Sequence, residues 1–359
     1  MRLLYLVNSL TALGGISNIT NKKIEWLILN KDYEICVVVK KHHSDYEERF
    51  DGRLKIFNMN RTYQDLPFYE KILYGISFIK YIKDVFKKFR PDLCISLLSS
   101  VDFFILPLIG NKIPKILEIH ASSVEIIQKS FPFKKLFYKL YNKIVVLNDL
   151  EKFEYGLSNI EVIPNFIFLN ELNSDDLTKR KIIISGGRNE KLKQFDHQIY
   201  AWNRIYSDFK DWEYHLYIQG SNQDLNFYRN LIHPECTSLK IFPATNEFKK
   251  KLLESSIMVL TSKSESFSIM ILEGFDTYNA VISYKTFSGP LTLIENGKGI
   301  LVEMNDITQL AQSIAQVIEN EDLRRKLITN AKEKVGLYSP NSIMEKWIGL
   351  FTQVINENN

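Results

Sequence analysis

Cysteine is scarce in this 359-residue sequence: Cys36, Cys94 and Cys236 are far apart and odd in number. They make neither a disulfide framework nor a metal-ligand spacing, as expected of a chain kept in a reducing cytoplasm. Cys36 and Cys94 lie inside apolar runs and read as small buried residues. No uncharged stretch approaches the ~20 residues that span a bilayer. The opening run Met1–Asn8 is too short for a secretory signal and has no small-residue cleavage region, so it reads as a first buried strand. A soluble, cytoplasmic chain is expected, one still able to touch a membrane surface. Charge of one sign is also in short supply, because the net charge of +4 is mild for this length and argues against nucleic acid as partner. Asp-x-Asp, Gly-x-Ser-x-Gly, the Walker A pattern and His-Glu-x-x-His are all absent. No metal and no cofactor is expected.

What is present is a globular balance, 45% hydrophobic and 25% charged, at a length that favours two domains. Short runs rich in Val, Ile and Leu alternate with longer amphipathic, Lys-rich segments. Leu3–Val7, Ile35–Val39, Leu93–Leu97, Lys115–Ile119 and Ile144–Leu147 read as buried strands, with helical patterns at Ile72–Phe89 and Leu136–Tyr141. The series restarts with strands at Lys181–Ser185, Tyr214–Ile218, Ile257–Leu260 and Val281–Ser283, and helices at Phe248–Glu254 and Ile307–Glu319. The polar stretch Asn170–Arg180 is the linker candidate. The fold class is therefore α/β, with two Rossmann-like halves. Ligands of such sheets bind beyond the carboxyl ends of the strands, which directs attention to the loops that follow them.

Gly14-Gly15-Ile16 follows the first strand, where glycine lets backbone approach a ligand. It falls short of the full dinucleotide fingerprint, against nicotinamide and flavin. Gly187 and Arg188 follow a strand, with Lys193 five residues beyond Arg188. A guanidinium fork and an ammonium can grip a diphosphate from two sides, although a solvated basic loop has the same appearance. Glu265 and Glu273 bracket Ser266, Phe267, Ser268 and Ile269, a loop entering a helix in which Ser266 or Ser268 can cap the first turn. The two carboxylates can bond sugar hydroxyls at opposite ends of a nucleotide-sugar. Their bland alternatives are a helix-surface acid and an acid complementing the helix dipole. Of the six histidines, only His120 stands at a cleft-facing strand end, where it can bond a sugar or polarise a leaving group; His42, His43, His197, His215 and His233 read as surface or structural.

Taken together these residues resemble the retaining glycosyltransferases of family 4, the bacterial cell-surface polysaccharide type with GT-B architecture. The resemblance rests on Gly14-Gly15-Ile16, Glu118-Ile-His120, Val162-Ile-Pro-Asn165, Gly187-Arg188 with Lys193, Tyr217-Ile-Gln-Gly220, Glu265 to Glu273, and Gly289-Pro290 with Leu293–Val302. It implies two Rossmann-like domains facing a central cleft. Residues 1–169 would bind the acceptor, 170–338 the nucleotide-sugar, and 339–359 would be a helix returning to the first domain. It further implies that Arg188 and Lys193 neutralise the donor diphosphate and that Glu273 holds the ribose. Glu265 would contact the transferred sugar, the Ser266–Ile269 backbone the phosphates, and His120 the reacting centre. The donor favoured is a UDP-sugar and the acceptor a saccharide, lipid-linked. The sequence departs from the pattern where glycine is usual, at Gln194 and Ser266, and at Tyr278-Asn279-Ala280 in place of Gly-x-Pro. There Asn279 is the residue expected to tolerate a left-handed turn.

Between Lys71 and Arg90 the chain carries five Lys and one Arg against one Asp, interleaved with Phe78, Tyr81, Phe86 and Phe89. Residues 128–142 mix Phe131, Phe133, Phe137, Tyr138 and Tyr141 with Lys129, Lys134, Lys135 and Lys139, without an acid. Segments 71–90 and 128–142 suit an anionic membrane surface, or equally solvated helix faces with aromatics turned to a core. The competing functions are another GT-B enzyme, such as a sugar-phosphate synthase or a nucleotide-sugar epimerase, and a non-catalytic sugar-nucleotide-binding subunit. An epimerase would need further acid/base groups; a non-catalytic subunit would be expected to have lost Arg188, Lys193, Glu265 and Glu273, which are all present.

Overall fold

The computed structural model describes residues 1–10, 15–40, 52–59, 67–98, 100–122, 134–171 and 178–358. Gly14, His42, His43 and residues 128–133 of the second basic-aromatic segment lie outside these. The chain divides into two compact units, Met1–Phe166 with Pro340–Asn359, and Ile167–Ser339.

The first unit holds a seven-stranded parallel sheet of β1 (Arg2–Val7), β2 (Glu34–Val39), β3 (Leu54–Asn58), β4 (Leu93–Ser96), β5 (Lys115–Glu118), β6 (Lys143–Val146) and β7 (Ile160–Val162). Their order is β3-β2-β1-β4-β5-β6-β7. Helices α1 (Gly15–Lys31), α2 (Phe68–Phe89), α3 (Val101–Ile105) and α4 (Asp149–Tyr155) cover it. Leu4 of β1 pairs in register with Cys36 on one side and Cys94 on the other. Both thiols are fully buried and in no disulfide, and burial pushes that of Cys94 up to about 12, so they act as small apolar residues.

The second unit repeats the plan with β8 (Ile182–Arg188), β9 (Glu213–Gln219), β10 (Leu239–Pro243), β11 (Ile257–Leu260), β12 (Ala280–Tyr284) and β13 (Ile300–Val302), all parallel, in the order β10-β9-β8-β11-β12-β13. Around it stand α5 (Phe195–Trp202), α6 (Asn222–Arg229), α7 (Phe248–Glu254), α8 (Ile269–Asp276), α9 (Gly289–Ile294), α10 (Ile307–Glu319) and α11 (Glu321–Val335). The last helix, α12 (Pro340–Asn358), packs in the first unit, where buried Trp347 lies under the Lys23 ammonium at 4.2 Å and Asn341 accepts a hydrogen bond from the Trp26 indole. In each sheet the order reverses beside the first strand, between β1 and β4 and between β8 and β11. At such a point neighbouring loops diverge and leave a crevice.

The strands missed from sequence are β3, β7, β10 and β13, the two edges of each sheet. An edge strand is covered on fewer sides, so it needs no continuous apolar run; Leu54–Asn58 and Leu239–Pro243 mix buried with exposed positions. The linker expectation fails at its described ends. Both oxygens of the buried Asp276 carboxylate accept from the Asn170 N–H, and the Lys179 ammonium donates to carbonyls of Leu252, Ser255 and Thr277. Lys179, through its ammonium, and Asn170, through its backbone N–H, therefore tie the described ends of this stretch to the second unit. At the turn after α8 the left-handed residue is Tyr278, φ 57, and not Asn279. Asn279 is fully buried, and its amide donates to the Leu252 carbonyl and the Thr277 hydroxyl.

Close packing between β12 and β13 can be tested at Gly299, where an added Cβ would stand 2.5 Å from the Val281 carbonyl oxygen. Gly299→Ala is expected to lower the urea midpoint by the equivalent of about 2 kcal/mol. Gly336→Ala, at a site with no atom within 4 Å of the new methyl, should leave it nearly unchanged.

Candidate functional site

β8 leaves the sheet through Gly186, Gly187 and Arg188. A Cβ at Gly186 would lie 2.9 Å from both the Phe248 ring and the Tyr217 carbonyl oxygen, and Gly187 has φ +150, so close packing of α7 and β9 requires the first glycine and the turn the second. Beyond them Arg188 is 55% exposed, with Nη1 3.1 Å from Glu190 Oε1. Gly186, Gly187 and Arg188 wall a pocket of about 200 Å³ with Tyr217, Thr245, Phe248 and Met270. Sequence analysis did not single out Thr245, Phe248 and Met270. Each is an ordinary residue on its own segment and gains a role only because those segments meet beside β8.

The switch between β8 and β11 brings the loops after these two strands together. Lys193 lies on the first, Ser262 and Glu265 on the second. The Lys193 ammonium donates to Glu265 Oε1 at 2.5 Å, and the Ser262 hydroxyl donates to the same oxygen at 2.9 Å. This pair is largely but not wholly buried, with exposures of 22% and 16%, so water or an anion can still reach it. Lys193 is held from behind: its carbonyl and that of Gln194 accept from the Thr261 hydroxyl, and the Lys263 N–H donates to the Leu192 carbonyl. Gln194, standing where glycine is usual, still adopts the left-handed conformation at φ 47, with its amide donating to Asn305 Oδ1. A non-glycine residue there costs on the order of 1 kcal/mol of strain, so its hydrogen bond and burial must hold it in place.

The second loop is clamped at its other end. The Gly289 N–H donates to the Glu265 carbonyl at 2.9 Å, and the Ser288 hydroxyl donates to the Ser266 carbonyl at 2.9 Å. Ser288 itself has φ 84. Phe267 is buried, its ring 5.9 Å from that of Tyr338. Ser268 occupies the N-cap of α8, but its buried hydroxyl makes no capping bond, contrary to expectation. Ile269 opens the helix, and Glu273 lies half-buried one turn further on.

Gly15 and His120 belong to the first unit. No atom comes within 4 Å of a Cβ placed at Gly15, so the fold itself does not demand glycine there. His120 follows β5, but its side chain is buried and not presented openly at the strand end. Its Nε2 lies 2.8 Å from Glu118 Oε1, the oxygen that also accepts from the Lys23 ammonium. Burial pushes the Glu118 carboxyl up, yet the opposing charges of Lys23 and His120 outweigh it and hold it at about 2. Burial pushes the Lys23 ammonium down, against the pull of Glu118. Glu118 was marked in the sequence only as part of the Glu118-Ile-His120 motif, and Lys23, its buried partner, was not marked at all. The alternation of Glu118 and His120 along one strand was visible, but the lysine lies 95 positions away.

Two doubly wound parallel sheets, one with a cation–carboxylate pair and an arginine at its switch point, define a protein of the GT-B class. Residues 169–334 match the family model described as glycosyl transferases group 1. The chain is 27% identical over 201 residues to an exopolysaccharide phosphotransferase of Streptomyces coelicolor, covering 55% of this chain but only 21% of that protein. It is 24% identical over 339 residues to a Campylobacter jejuni alpha-1,4-N-acetyl-D-galactosaminyltransferase whose name specifies a diNAcBac-PP-undecaprenol-linked acceptor, covering 91% of this chain and 92% of the relative. An Anabaena protein solved with UDP and glucose superposes with a TM-score of 0.77 at 14% identity, over 98% of this chain and 100% of that one, a likeness of fold.

Two outcomes follow from this geometry. A Cβ at Gly289 would meet the Glu265 carbonyl oxygen at 2.9 Å and the Phe267 backbone at 3.0 Å, none of which can swing aside. Gly289→Ala is therefore expected to displace the Glu265–Phe267 loop, at a cost of about 1–3 kcal/mol in chemical unfolding. For Glu118, the folded-state carboxyl lies below its ordinary 4.5, so the stability it contributes is complete above that pH and disappears as pH falls toward about 2. Glu118→Gln should flatten this part of the acid unfolding curve. At neutral pH it should also destabilise by roughly 3–5 kcal/mol, because the buried Lys23 loses its counter-charge.

Proposed function

We propose that the protein is a retaining glycosyltransferase that moves a hexosyl or N-acetylhexosaminyl unit from a UDP-sugar to a lipid-linked saccharide, in cell-surface polysaccharide or glycolipid synthesis. The observation that carries this is the Lys193–Glu265 pair, set at the β8/β11 switch point within a glycosyl transferases group 1 domain. A diphosphate arriving at Arg188 competes with Glu190 for the guanidinium and with Glu265 for Lys193. Glu265 is then released toward the hydroxyls of the transferred sugar. Gly187 and the start of α8, from Ser266 to Ile269, take the phosphates, and Glu273 the ribose. The relative with an undecaprenol-linked acceptor and the neighbour solved with UDP support the choice of acceptor and nucleotide.

Transfer proceeds on one face of the sugar. The acceptor oxygen bonds to the anomeric carbon as the bond from that carbon to the diphosphate breaks. The acceptor proton passes to a donor phosphate oxygen, and the nucleoside diphosphate leaves with it. The charge that builds on the leaving group is met by Arg188 and Lys193, so neither an enzymic nucleophile nor a metal is needed. A screen of nucleotide-sugars by thermal shift tests the donor: UDP-sugars are expected to raise the Tm, and no response to UDP-, GDP- or ADP-sugars would refute it. Glu273→Ala should weaken nucleotide binding, whereas Arg188→Ala should lower kcat more than affinity. EDTA should leave turnover unchanged; a loss restored by Mg²⁺ would overturn the metal-free reading.

The protein works at the inner face of a cell membrane. Among the described residues no helix is long and apolar enough to cross a bilayer, but α2 carries an exposed stripe of Tyr69, Ile72, Leu73 and Ile76, the i, i+3, i+4, i+7 face of one helix. Its lysines Lys71, Lys80, Lys83, Lys87 and Lys88 suit anionic headgroups, at about 1 kcal/mol each near the surface. In the second segment Leu136 and Leu140 are exposed while Tyr138 and Tyr141 are buried. Co-sedimentation with phosphatidylglycerol vesicles, reduced by Ile72→Ser/Ile76→Ser, is the expected result. No binding at low salt would remove the membrane from the account.

A further inference from the structure

The second sheet has another edge, opposite the donor loops. All six of its strands are parallel, so they enter together where Lys181 precedes β8, Trp212 precedes β9, Ser256 precedes β11 and Tyr278 stands just before β12. These four residues line a cavity of about 930 Å³, closed on the far side by one face of α11 that includes Arg324, Arg325, Ile328 and Lys332. A seven-residue strand such as β8 spans about 23 Å, so the cavity and the Arg188 turn are separate places on one sheet.

The lining carries six cations, Lys179, Arg180, Lys181, Arg324, Arg325 and Lys332, against the two carboxylates of Glu321 and Glu333. Neighbouring acids take up part of this excess. Asp211 pairs with Lys181, Asp276 with Lys332 at 3.0 Å, Glu321 with Arg325 at 2.7 Å, and Glu254 lies 3.9 Å from Arg180. The hydrogen bonds recorded for Lys179 and Arg324 go to carbonyl oxygens instead, those of Leu252, Ser255 and Thr277 for the lysine and of Val317 and Ile318 for the arginine. Carbonyls satisfy N–H donors but leave the net charge in place, and burial pushes the Lys179 ammonium down to about 7. The walls add two aromatic rings, Trp212 with the Arg324 guanidinium 5.6 Å from its centroid and Tyr278 with the Lys332 ammonium at 4.5 Å. Cations already stacked on ring faces, beside an apolar Ile328, suit an anion that has a flat body.

We infer that this cavity is a second ligand site, which takes a small phosphorylated molecule with a planar ring, of the nucleoside diphosphate class, at the edge of the sheet remote from the donor loops. Arg180 and Arg325, 58% and 75% exposed, are free to turn toward the phosphates because their present partners are single, solvent-screened carboxylates. Tyr278 offers an edge to the ring, and buried Trp212 backs the Arg324 guanidinium that faces it. Since the site shares strands β8 and β11 with the Lys193–Glu265 loops, occupancy at one edge is positioned to influence the other.

The inference stands apart from the donor assignment and is tested by binding. Titration of the full chain with ADP, followed by tryptophan fluorescence, is expected to give a saturable change with a Kd below about 1 mM. Trp212→Phe should abolish most of the signal. Arg180→Ala/Arg325→Ala, two exposed substitutions that should leave stability within about 0.5 kcal/mol, is expected to weaken binding by about tenfold or more. Arg188→Ala and Glu273→Ala should leave it unaltered. A signal lost on Arg188→Ala but kept in the Arg180/Arg325 variant would place the nucleotide at the donor loops and overturn the inference, as would no saturable binding. Tripolyphosphate binding as well as ADP would show that charge alone selects the ligand and would overturn the part assigned to the rings.

Discussion

Between Glu265 and Gly289 two backbone segments of the second unit approach too closely for any side chain to stand between them. The Gly289 N–H reaches the Glu265 carbonyl at 2.9 Å, and a methyl group at Gly289 would collide with that oxygen and with Phe267. This contact fixes where Glu265 can be, and Glu265 in turn fixes the Lys193 ammonium and the Ser262 hydroxyl. Phe267, anchored against Tyr338, then delivers the chain into α8. A rigid backbone contact of this kind lets a loop carry chemistry with little loss of order when a ligand arrives.

Non-glycine residues with positive φ include Gln194 and Ser288 beside this framework and Tyr278 at the opposite end of the same sheet. Each is secured by a neighbour. Gln194 donates to Asn305, Ser288 to the Ser266 carbonyl, and the Tyr278 ring lies under Lys332. Left-handed backbone costs less in glycine, so each side chain brings a contact that offsets its strain. In the first unit the corresponding tension is electrostatic. Lys23, Glu118 and His120 share one buried carboxylate, with Trp347 of the last helix stacked on the lysine. Isolated charges would not survive at that depth, and their mutual pairing is what permits them.

The central strands were legible because a strand covered on both faces must be apolar throughout, as Leu3–Val7 and Ile257–Leu260 are. Edge strands β3, β7, β10 and β13 escaped because fewer of their positions are covered. Of the candidate site, Gly187, Arg188, Lys193, Glu265 and Glu273 could be found because they sit at fixed distances after strands. Thr245, Phe248 and Met270 could not, since nothing in their own neighbourhoods marks them. Asn170–Arg180 misled because polarity was taken for solvent exposure, whereas the Lys179 ammonium binds helix-end carbonyls and the Asn170 backbone N–H binds the Asp276 carboxylate.

By itself the sequence determined the alternation of strand and helix, the two-fold repetition of that alternation, and which loops follow strands, because burial imposes a local pattern on every covered element. Only the tertiary structure decided which loops become neighbours: strand order places β8 beside β11, and so brings Lys193 to Glu265 across 72 residues of chain. It also decided that Glu118 is shared between His120 and Lys23, and that Lys179, Trp212 and Tyr278 line one cavity. Strand order and charge pairing depend on distances in space, and a linear sequence encodes these only through the packing of the whole.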